Sequence, residues 1–391
     1  MNLPIYMDHH ATTPVDPRVL AAMLPYFRER FGNAASVTHS FGWAAQEAVE
    51  KARAQIAAVI NADPKEIVFT SGATEADNLA LKGLAYAARD KGNHIIVSAI
   101  EHNAVLDTAR HLEQEGFSVT YLSVGADGIV DPDDVRRAIT DRTIVVSIMT
   151  ANNEIGTIQP IRAIGQVTRE RGVFLHSDAA QALGRIPIDV NADSVDLLSL
   201  SAHKIYGPKG IGALFVRRSR PRPKLVPLID GGRHEGGLRS GTLPVPLIVG
   251  FGEAARIACS EMTEESPRQS QLRDRLMQSI TTGLDNVRVN GSLQSRLPNN
   301  LNLCIDGIDA EAILTAITDV ALSSGAACSS AEIKPSHVLK AIGCTDQQAA
   351  SSIRFGLGRR NTTEEVDYVA QRIIETVNTQ RRLAPVRPRT P

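Results

Sequence analysis

Strand-like and helical segments alternate between residues 67 and 216 of this 391-residue chain. Short apolar runs predict strands, and the longer segments between them have the spacing of amphipathic helices. Such alternation is typical of a mainly parallel sheet with helices on both faces. The predicted strands are 67–70, 94–98, 118–122, 143–149, 173–177, 197–200 and 211–216, and the predicted helices are 75–91, 103–115, 132–139 and 161–171.

A second region follows a long helical segment at 248–283. Its shorter predicted strands are 287–290, 300–305, 320–323 and 352–358, mixed with helices at 310–317, 336–341 and 363–379. We therefore expect two domains, as the length of the chain also suggests. Residues 16–260 should form a large three-layer α/β/α domain with a mainly parallel seven-stranded sheet. Residues 1–15 and 261–380 should form a smaller α+β domain, and the basic, proline-rich residues 381–391 a flexible tail.

Composition argues against several classes of partner. Lys and Arg (42) nearly balance Asp and Glu (43), so no overall basic field points to nucleic acid or an anionic membrane. No apolar run approaches the roughly 20 residues that span a bilayer. The first residues lack the pattern of a secretory signal, and we expect a cytoplasmic protein.

The four cysteines show neither C-x-x-C spacing nor a disulfide framework. A reducing compartment fits this pattern, so a cysteine that matters should matter for its reactivity. Cys259 and Cys304 lie in apolar patterns and are expected to be inert core residues. Cys344 follows a glycine at a helix end and is expected to be partly exposed at most.

A lysine stands where a predicted buried strand ends. The apolar run at 197–200 leads through Ser201 and His203 to Lys204, and glycine and proline at 207–210 predict a turn. A buried ammonium is costly in free energy, and forming a Schiff base with an aldehyde cofactor removes that cost. A surface lysine beside a turn is the alternative.

Asp178 ends the predicted strand at 173–177. Because open α/β sheets bind ligands at the carboxyl ends of their strands, Asp178 and Lys204 should meet at one edge of the sheet. Pyridoxal phosphate needs both a Schiff-base lysine and an acid that keeps its pyridine nitrogen protonated. Alternatively, Asp178 is the N-cap of the segment that follows it.

Residues 70–75 (TSGATE) supply a strand end, a glycine turn and a helix start in that order. Backbone N–H groups and hydroxyls in this arrangement suit a phosphate group. A simple capping box, with Ser71 or Thr74 as the cap, is the alternative.

Six motifs carry a resemblance to known enzymes: TSGATEADN, EHNAV, ANNEIG, HSDAAQ, SAHKIYGPKG and RSGT. With them the chain resembles the aminotransferase class V group of pyridoxal phosphate enzymes, and within it the NifS/IscS-type cysteine desulfurases. The resemblance runs from residues 7–13 (MDHHATT) to the region of Arg354. It implies the type I fold of pyridoxal phosphate-dependent transferases, with Lys204 and Asp178 as the cofactor residues.

The resemblance also implies how the phosphate is held. Thr242, in RSGT, is expected to contact the phosphate of the other subunit, which implies a homodimer with shared sites. The residues implied for the phosphate within one subunit are Ala73, Thr74, Ser201 and His203.

Further implied contacts concern the ring and the substrate. By resemblance His102 stacks on the pyridine face and moves protons, although a surface histidine that caps the next helix is the alternative. Asn153 and Gln181 match ligands of the ring oxygen and the substrate region, and only the motif selects Asn153 over Asn152. Arg354 matches the residue that binds the substrate α-carboxylate, and an internal salt bridge is its alternative.

Cys328 is the residue that distinguishes a cysteine desulfurase from class V enzymes that do not use a cysteine. It lies in a run of small residues at 323–332 (SSGAACSSAE), for which we expect an exposed, mobile loop. The run resembles the desulfurase loop that carries the sulfur-accepting cysteine, although Ala326 and Ser329 stand where many relatives have serine and threonine. Without the resemblance, a loop cysteine is more often incidental.

Together these interpretations predict a homodimeric, pyridoxal phosphate-dependent cysteine desulfurase. It would convert L-cysteine to L-alanine, form a persulfide on Cys328 and pass the sulfur to an iron–sulfur scaffold or another acceptor protein. The alternatives are a selenocysteine lyase or another class V enzyme that does not use Cys328, and a cofactor-binding protein without turnover. A scaffold-binding C-terminal extension is not recognisable in residues 381–391, and no metal site is identified with certainty.

Overall fold

The computed structural model describes residues 3–324 and 335–383. Strands in the described part of the chain, numbered along the sequence, are β1 Ile5–Tyr6, β2 Ile67–Thr70, β3 His94–Ser98, β4 Ser118–Leu122, β5 Thr143–Ser147, β6 Phe174–Asp178, β7 Leu197–Ser201, β8 Gly212–Val216, β9 Val287–Val289, β10 Asn300–Ile305, β11 Val320–Ala321, β12 Ser323–Ser324 and β13 Ser352–Gly356.

The α-helices are α1 Pro17–Met23, α2 Pro25–Arg28, α3 Ser40–Val59, α4 Ala73–Ala87, α5 Asn103–Gln114, α6 Pro132–Ala138, α7 Ile161–Arg171, α8 Val245–Gly283, α9 Ala310–Ala316, α10 His337–Ala341, α11 Asp346–Ala350 and α12 Thr363–Leu383. Short 3₁₀ turns lie at Pro64–Glu66 and Glu235–Gly237. None of the helices in the described residues is long and apolar enough to cross a membrane.

Seven strands form the large sheet in the order β2-β8-β7-β6-β5-β3-β4. Only β8 runs antiparallel to its neighbours, β2 and β7, so the predicted mainly parallel seven-stranded sheet is confirmed. Every residue of β3, β5, β7 and β8 is buried, which explains why their sequences are mainly apolar and do not alternate with charged residues. Since β5, β6 and β7 are parallel, their carboxyl ends lie at one edge.

The C-terminal region has a smaller antiparallel sheet in the order β12-β13-β10-β9. Strand β1 pairs with β11, and Ile5 and Met7 share a buried cluster with Leu301 and Phe355. The N-terminal residues therefore pack with the C-terminal region, although helix α8 continues unbroken through the predicted domain boundary at residue 260. The division into two domains stays a prediction.

Three details differ from the sequence-based expectations. The strand expected at 320–323 is two short strands, which pair with different partners. Helix α12 extends into the predicted tail, because Arg381 donates hydrogen bonds to the carbonyl oxygens of Asp285 (3.0 Å) and Asp306 (2.7 Å). Cys259 is exposed, not buried in the core, because the helical turn of α8 places it beside the buried face and not on it.

Candidate active site

A cavity of about 440 Å³ opens at the carboxyl ends of β5, β6 and β7. Lys204 follows β7, Asp178 ends β6, and the start of α4 lies across from them. The sequence-predicted residues that line this cavity are Ala73, Thr74, His102, Asn153, Asp178, Gln181, Ser201, His203 and Lys204.

The Lys204 side chain is held by two backbone carbonyls of the N-terminal segment. Its Nζ donates to the carbonyl oxygen of Ala11 at 2.8 Å and to that of His10 at 2.5 Å. Burial and, to a lesser extent, the positive charge of Arg354 together lower the pKa of Lys204 to about 8. A neutral amine is therefore accessible near pH 8, and a neutral amine is the form that attacks an aldehyde.

Asp178 is a buried carboxylate at the floor of the cavity. One of its oxygens accepts a hydrogen bond from the backbone N–H of Ala180 at 2.8 Å, but residues 180–185 form turns and not a helix, so the N-cap alternative weighed from the sequence is wrong. Burial raises the pKa of Asp178, while the positive charges of His102 and Lys204 oppose that rise. A cationic ring nitrogen facing this carboxylate would supply the charge partner that its burial demands.

Two further carboxylates, Asp77 and Glu101, are fully buried near Asp178, and neither was expected from the sequence. Burial raises the pKa of each well above its usual range, and the negative charge of Asp178 adds to the rise. The Asp77 carboxylate lies 3.5 Å from Nε2 of His176, a buried histidine two residues before Asp178. The His176 ring also contacts the hydroxyls of Ser147 (2.8 Å) and Ser199 (3.0 Å).

The turn at residues 70–75 leaves the first turn of α4 open toward the cavity. Gly72 is the N-cap and no side chain caps the helix, so the predicted alternative of a Ser71 or Thr74 cap is wrong. Instead, Glu75 accepts from the N–H of Ser71 at 2.7 Å. Uncapped N–H groups at a helix start attract anions, and those of Ala73 and Thr74 lie in the cavity wall.

His102 caps α5 and lines the cavity at the same time. Its Nδ1 accepts a hydrogen bond from the backbone N–H of Ala104 at 3.1 Å. Because Nδ1 accepts, the proton of the neutral ring lies on Nε2. The two readings weighed from the sequence, a helix cap and a site residue, are therefore compatible.

Asn152 and Asn153 have different surroundings. Asn152 is fully buried, and both polar atoms of its side chain are already hydrogen-bonded. Its amide donates to the Ile100 carbonyl at 2.9 Å, and its oxygen accepts from two backbone N–H groups. Asn153 instead lines the cavity, as the motif had selected. Gln181 lines it too, and its amide group pairs with His10, through the ring Nδ1 at 2.9 Å and the carbonyl at 3.0 Å.

The match to known proteins agrees with this geometry. A family model described as aminotransferase class-V matches residues 5–369 of the chain. The chain belongs to this family.

Individual relatives show which class V proteins this chain is similar to. A cysteine desulfurase IscS from Rickettsia rickettsii (strain Iowa) is 53% identical over 386 residues, covering 99% of this chain and 94% of the relative. A solved NifS-like protein has a TM-score of 0.89 at 37% identity and covers 96% of this chain and 100% of its own. A structure described as SspA in complex with cysteine has a TM-score of 0.80 at 40% identity, covering 90% and 98% of the two chains.

Class V enzymes of this group depend on pyridoxal phosphate, and the cavity fits that cofactor. An amine of lowered pKa, a buried carboxylate and an uncapped helix start surround one space. His203 adds a neutral imidazole, because burial and the neighbouring lysine charges lower its pKa to about 4. The type I fold inferred from the class V motifs is confirmed by the sheet and by the structural relatives.

Two of the described residues expected from the class V resemblance do not line the cavity. Arg354 forms the internal salt bridge that was its alternative, with Asp8 at 2.8 Å, and donates to the Asn153 carbonyl at 3.0 Å. Thr242 is exposed and contributes nothing to the cavity of its own subunit. Cys328, with the small-residue run around it, lies outside the described residues.

Residues 8–13 support the class V site in a way that the sequence analysis did not use. Asp8 pairs with Arg354, His10 with Gln181, and the hydroxyl of Thr13 donates to the His203 carbonyl at 2.8 Å. The hydroxyl of Thr12 contacts the His203 ring at 3.1 Å. The MDHHATT motif was noted in the sequence, but only the fold shows that this segment contacts Lys204.

Proposed function

We propose that this protein is a pyridoxal phosphate-dependent cysteine desulfurase that releases L-alanine from L-cysteine and receives the sulfur on Cys328. The observation that carries the proposal is the meeting of Lys204, Asp178 and the uncapped start of α4 around one cavity. This arrangement occurs in a chain 53% identical to a cysteine desulfurase over nearly its whole length.

The residues divide the binding of the cofactor among them. Lys204 would hold its aldehyde carbon, Asp178 would keep its ring nitrogen protonated, and the N–H groups of Ala73 and Thr74 would bind its phosphate. The bound cofactor supplies an electron sink for the bonds at the substrate Cα. Ser201 and His203 would complete the phosphate contacts, and His102 would cover one face of the ring.

Proton transfer falls to Lys204 and His102. Lys204 has a pKa of about 8, so it can accept the Cα proton as a neutral amine and return it as an ammonium. The Nε2 of His102 is the ring nitrogen left free by the cap on α5. It can exchange a proton with the substrate thiol.

Arg354 is proposed to bind the substrate carboxylate. Its side chain is 12% exposed, and its guanidinium donates to the carbonyl of cavity residue Asn153. Among the described residues its Nε has no hydrogen-bond acceptor, so the group is not saturated by Asp8. A substrate carboxylate would supply that acceptor.

Cys328 performs the sulfur transfer in this proposal. Its thiolate attacks the sulfur of the bound cysteine, an S–S bond forms and the substrate C–S bond breaks. The electron pair of the broken bond stays with the substrate carbon, which is then protonated and leaves as L-alanine. The persulfide on Cys328 is passed to an acceptor, which we propose is an iron–sulfur scaffold or another sulfur carrier of the cytoplasm.

The experiment that tests the proposal is Cys328→Ser. A hydroxyl is a far weaker nucleophile toward sulfur than a thiolate, and the substitution leaves every residue of the described cavity unchanged. The variant should bind cofactor and L-cysteine normally, as judged by the visible spectrum, and release almost no alanine. Wild type exposed to cysteine should carry one added sulfur on the Cys328 peptide by mass spectrometry.

Cys259 provides the control, because it is the exposed cysteine of the described residues. Cys259→Ser should release alanine at the wild-type rate. Alanine release by Cys328→Ser at that same rate would favour the alternative, a class V lyase such as a selenocysteine lyase. Selenide is a better leaving group, so comparing selenocysteine with cysteine in the Cys328 variant separates the two.

We further propose a homodimer. An exposed apolar surface covers the N-terminal helices; we call it the N-terminal apolar surface, and it comprises Leu24, Phe27, Phe31, Phe41 and Trp43, each more than half exposed. Apolar surfaces of this kind mark interfaces between proteins. Pairing two copies would also allow Thr242, which is outside its own cavity, to reach the cavity of the other subunit.

A further inference from the structure

The segment of residues 229–242, which ends in Thr242, is largely irregular and contacts the outer strand β2 of the large sheet through Glu235. Arg233 and Glu235 have φ values of +56° and +52°, which are unfavourable for residues with a side chain. The glycines at 236 and 237 continue the left-handed path with φ values of +64° and +86°. Tertiary contacts must therefore hold this path in place.

Glu235 makes the strongest of these contacts. Its side chain is 1% exposed, and its two oxygens accept a bidentate ion pair from Arg53 of α3, each at 2.8 Å. One oxygen also accepts from the backbone N–H of Phe69 at 2.7 Å. Because β2 is the outer strand of the sheet, this N–H has no strand partner and Glu235 satisfies it.

Arg53 is held in turn by β2. It donates to the carbonyl oxygen of Ile67 at 2.7 Å, and its guanidinium lies 4.7 Å from the centre of the Phe69 ring. A bidentate guanidinium–carboxylate pair of this kind has one fixed geometry. The pair therefore determines where the left-handed turn at Glu235 sits relative to the large sheet.

The end of the segment has a second ion pair. Arg239 donates to the Glu75 carboxylate at 2.9 Å, and Glu75 belongs to the first turn of α4 in the cavity wall. A hydrogen bond joins the residues on either side of these two ion-pair positions, because the N–H of Gly241 donates to Nδ1 of His234 at 3.2 Å. The backbone immediately before Thr242 is thus tied to the turn at Glu235.

We propose that Glu235 and Arg53 are positioning residues for the cofactor site of the opposite subunit. Their ion pair holds the 229–242 segment in the shape that presents Thr242 outward, away from its own cavity. The inference rests on the proposed homodimer with Thr242 at the opposite phosphate, and it adds which residues make that contact possible. It predicts that loss of the Glu235 carboxylate weakens cofactor binding in the partner subunit and leaves the subunit's own site intact.

Mixed dimers in which one site is inactivated by Lys204→Ala test whether Glu235 affects the cofactor site of the opposite subunit or that of its own. In the first mixed dimer, Lys204→Ala and Glu235→Gln are on one chain and the other chain is wild type. In the second, one chain carries Lys204→Ala and the other carries Glu235→Gln. The two dimers contain the same substitutions, so any general loss of stability affects both alike.

The readout is cofactor binding at the single site that keeps Lys204. Apo dimers are titrated with pyridoxal phosphate and reduced with borohydride, so that only cofactor joined to Lys204 is retained and counted. We expect about tenfold weaker binding in the first mixed dimer, where Glu235→Gln is opposite the working site, and wild-type binding in the second. Glu264→Gln, at an exposed position of α8, is the matched control and should be silent in both.

Hydrogen exchange gives a second readout that does not depend on the cofactor. In apo Glu235→Gln, backbone amides of residues 229–242 should exchange faster than in wild type, while those of β7 should be unchanged. Arg53→Lys should reproduce this result, because an ammonium keeps the charge but cannot form the bidentate pair. Unchanged exchange at 229–242 would show that the ion pair does not hold the segment.

Other outcomes of the mixed-dimer titration overturn the inference. Weaker binding only in the second dimer would mean that Glu235 supports its own cavity through β2. Equal binding in the two dimers, weakened or not, would leave no role in the opposite site. Thr242→Ala, placed in the same two mixed dimers in place of Glu235→Gln, shows which proposal has failed. If Thr242→Ala weakens cofactor binding in the opposite site and Glu235→Gln does not, only this inference fails. If Thr242→Ala is silent in both, the proposed shared site fails as well.

Discussion

Lys204 shows how the surroundings of one side chain prepare it for chemistry. Its amine has two carbonyl acceptors but no carboxylate in direct contact, and the positive charge of Arg354 disfavours its protonated form. Burial and that charge together bring the pKa to about 8, against an ordinary value of 10.5. The lysine is therefore activated before any cofactor enters.

The rate at which apo protein forms its covalent link with pyridoxal phosphate should follow this pKa. Protonated Lys204 predominates below pH 8 and cannot attack the aldehyde, so the rate should rise with pH through a midpoint near 8. Stopped-flow absorbance measures it directly. Arg354→Gln removes a charge that lowers the pKa, so its midpoint should move upward. Lys204→Ala should form no link at all, and a wild-type midpoint near 10.5 would contradict this account.

Asp77 and Asp178 are two buried carboxyl groups for which we expect opposite charge states. Burial and the negative charge of Asp178 raise the pKa of Asp77 well above its usual range, so we expect Asp77 to be neutral. Asp178 lines the cavity and would be ionised by a protonated ring nitrogen. Asp178→Asn should therefore lower the rate of alanine formation by about 100-fold or more, since it removes a charge opposite the ring.

Asp77→Asn is the matched control for that measurement. It replaces a neutral acid by a neutral amide of the same shape, so most of the activity and the cofactor spectrum should survive. Equal losses in the two variants would indicate that both carboxyl groups act only through packing.

At the scale of elements, the close approach of β8 to the 70–75 turn shapes the end of the cavity that we propose binds the phosphate. A Cβ atom built on Gly212 would lie 2.5 Å from the Leu200 carbonyl oxygen and 2.7 Å from the Cα of Gly72. Both neighbours are backbone atoms, which cannot rotate away. Glycine at this position is thus a requirement of the antiparallel strand that closes the site.

Gly212→Ala should separate β8 from the 70–75 turn. We expect a loss of about 1–3 kcal/mol in the free energy of unfolding and a weaker affinity for pyridoxal phosphate. Urea unfolding of the apo protein and cofactor titration measure the two effects. Gly116→Ala is the control: its added methyl group meets no atom within 4 Å, so only the strain of its positive φ is expected, with cofactor affinity unchanged.

At the scale of the whole molecule, the N-terminal apolar surface leaves large side chains in contact with water. Phe31 and Phe41 pack on each other with ring centres 5.5 Å apart, yet they are 65% and 51% exposed. Trp43 is 56% exposed although its indole N–H is satisfied by the Val37 carbonyl. The surface is ordered by local contacts and still has apolar area to bury against a second copy.

Phe31→Asp should therefore shift the protein from dimer to monomer in analytical ultracentrifugation, because a charge in an apolar interface is costly to bury. It should also weaken cofactor binding, since the proposed contact of Thr242 with the opposite site would be lost with the dimer. Leu293→Asp introduces the same change at a residue 62% exposed elsewhere and should leave the dimer intact. Dimers of unchanged stability in Phe31→Asp would place the interface on another surface.

Much of the fold was accessible from the sequence because its signals are local. Each of the seven strands of the large sheet was predicted, with ends displaced by two residues at most, since buried parallel strands are short apolar runs bounded by turn residues. That Lys204 and Asp178 line one cavity was predictable for a related reason, because Asp178 ends one such run and Lys204 follows another after a few residues. The antiparallel direction of β8 carries no local signal and was not foreseen.

The features that only the tertiary structure decided are contacts between residues far apart in the chain. The pairing of Arg354 with Asp8, of Arg53 with Glu235 and of His176 with Asp77 joins segments with no common sequence pattern. The exposure of Cys259 was also decided there, because the face of a helix that is buried depends on what packs against it. The sequence determined which groups are available for chemistry. Long-range packing determined their charges, their partners and whether they face the cavity, the core or the solvent.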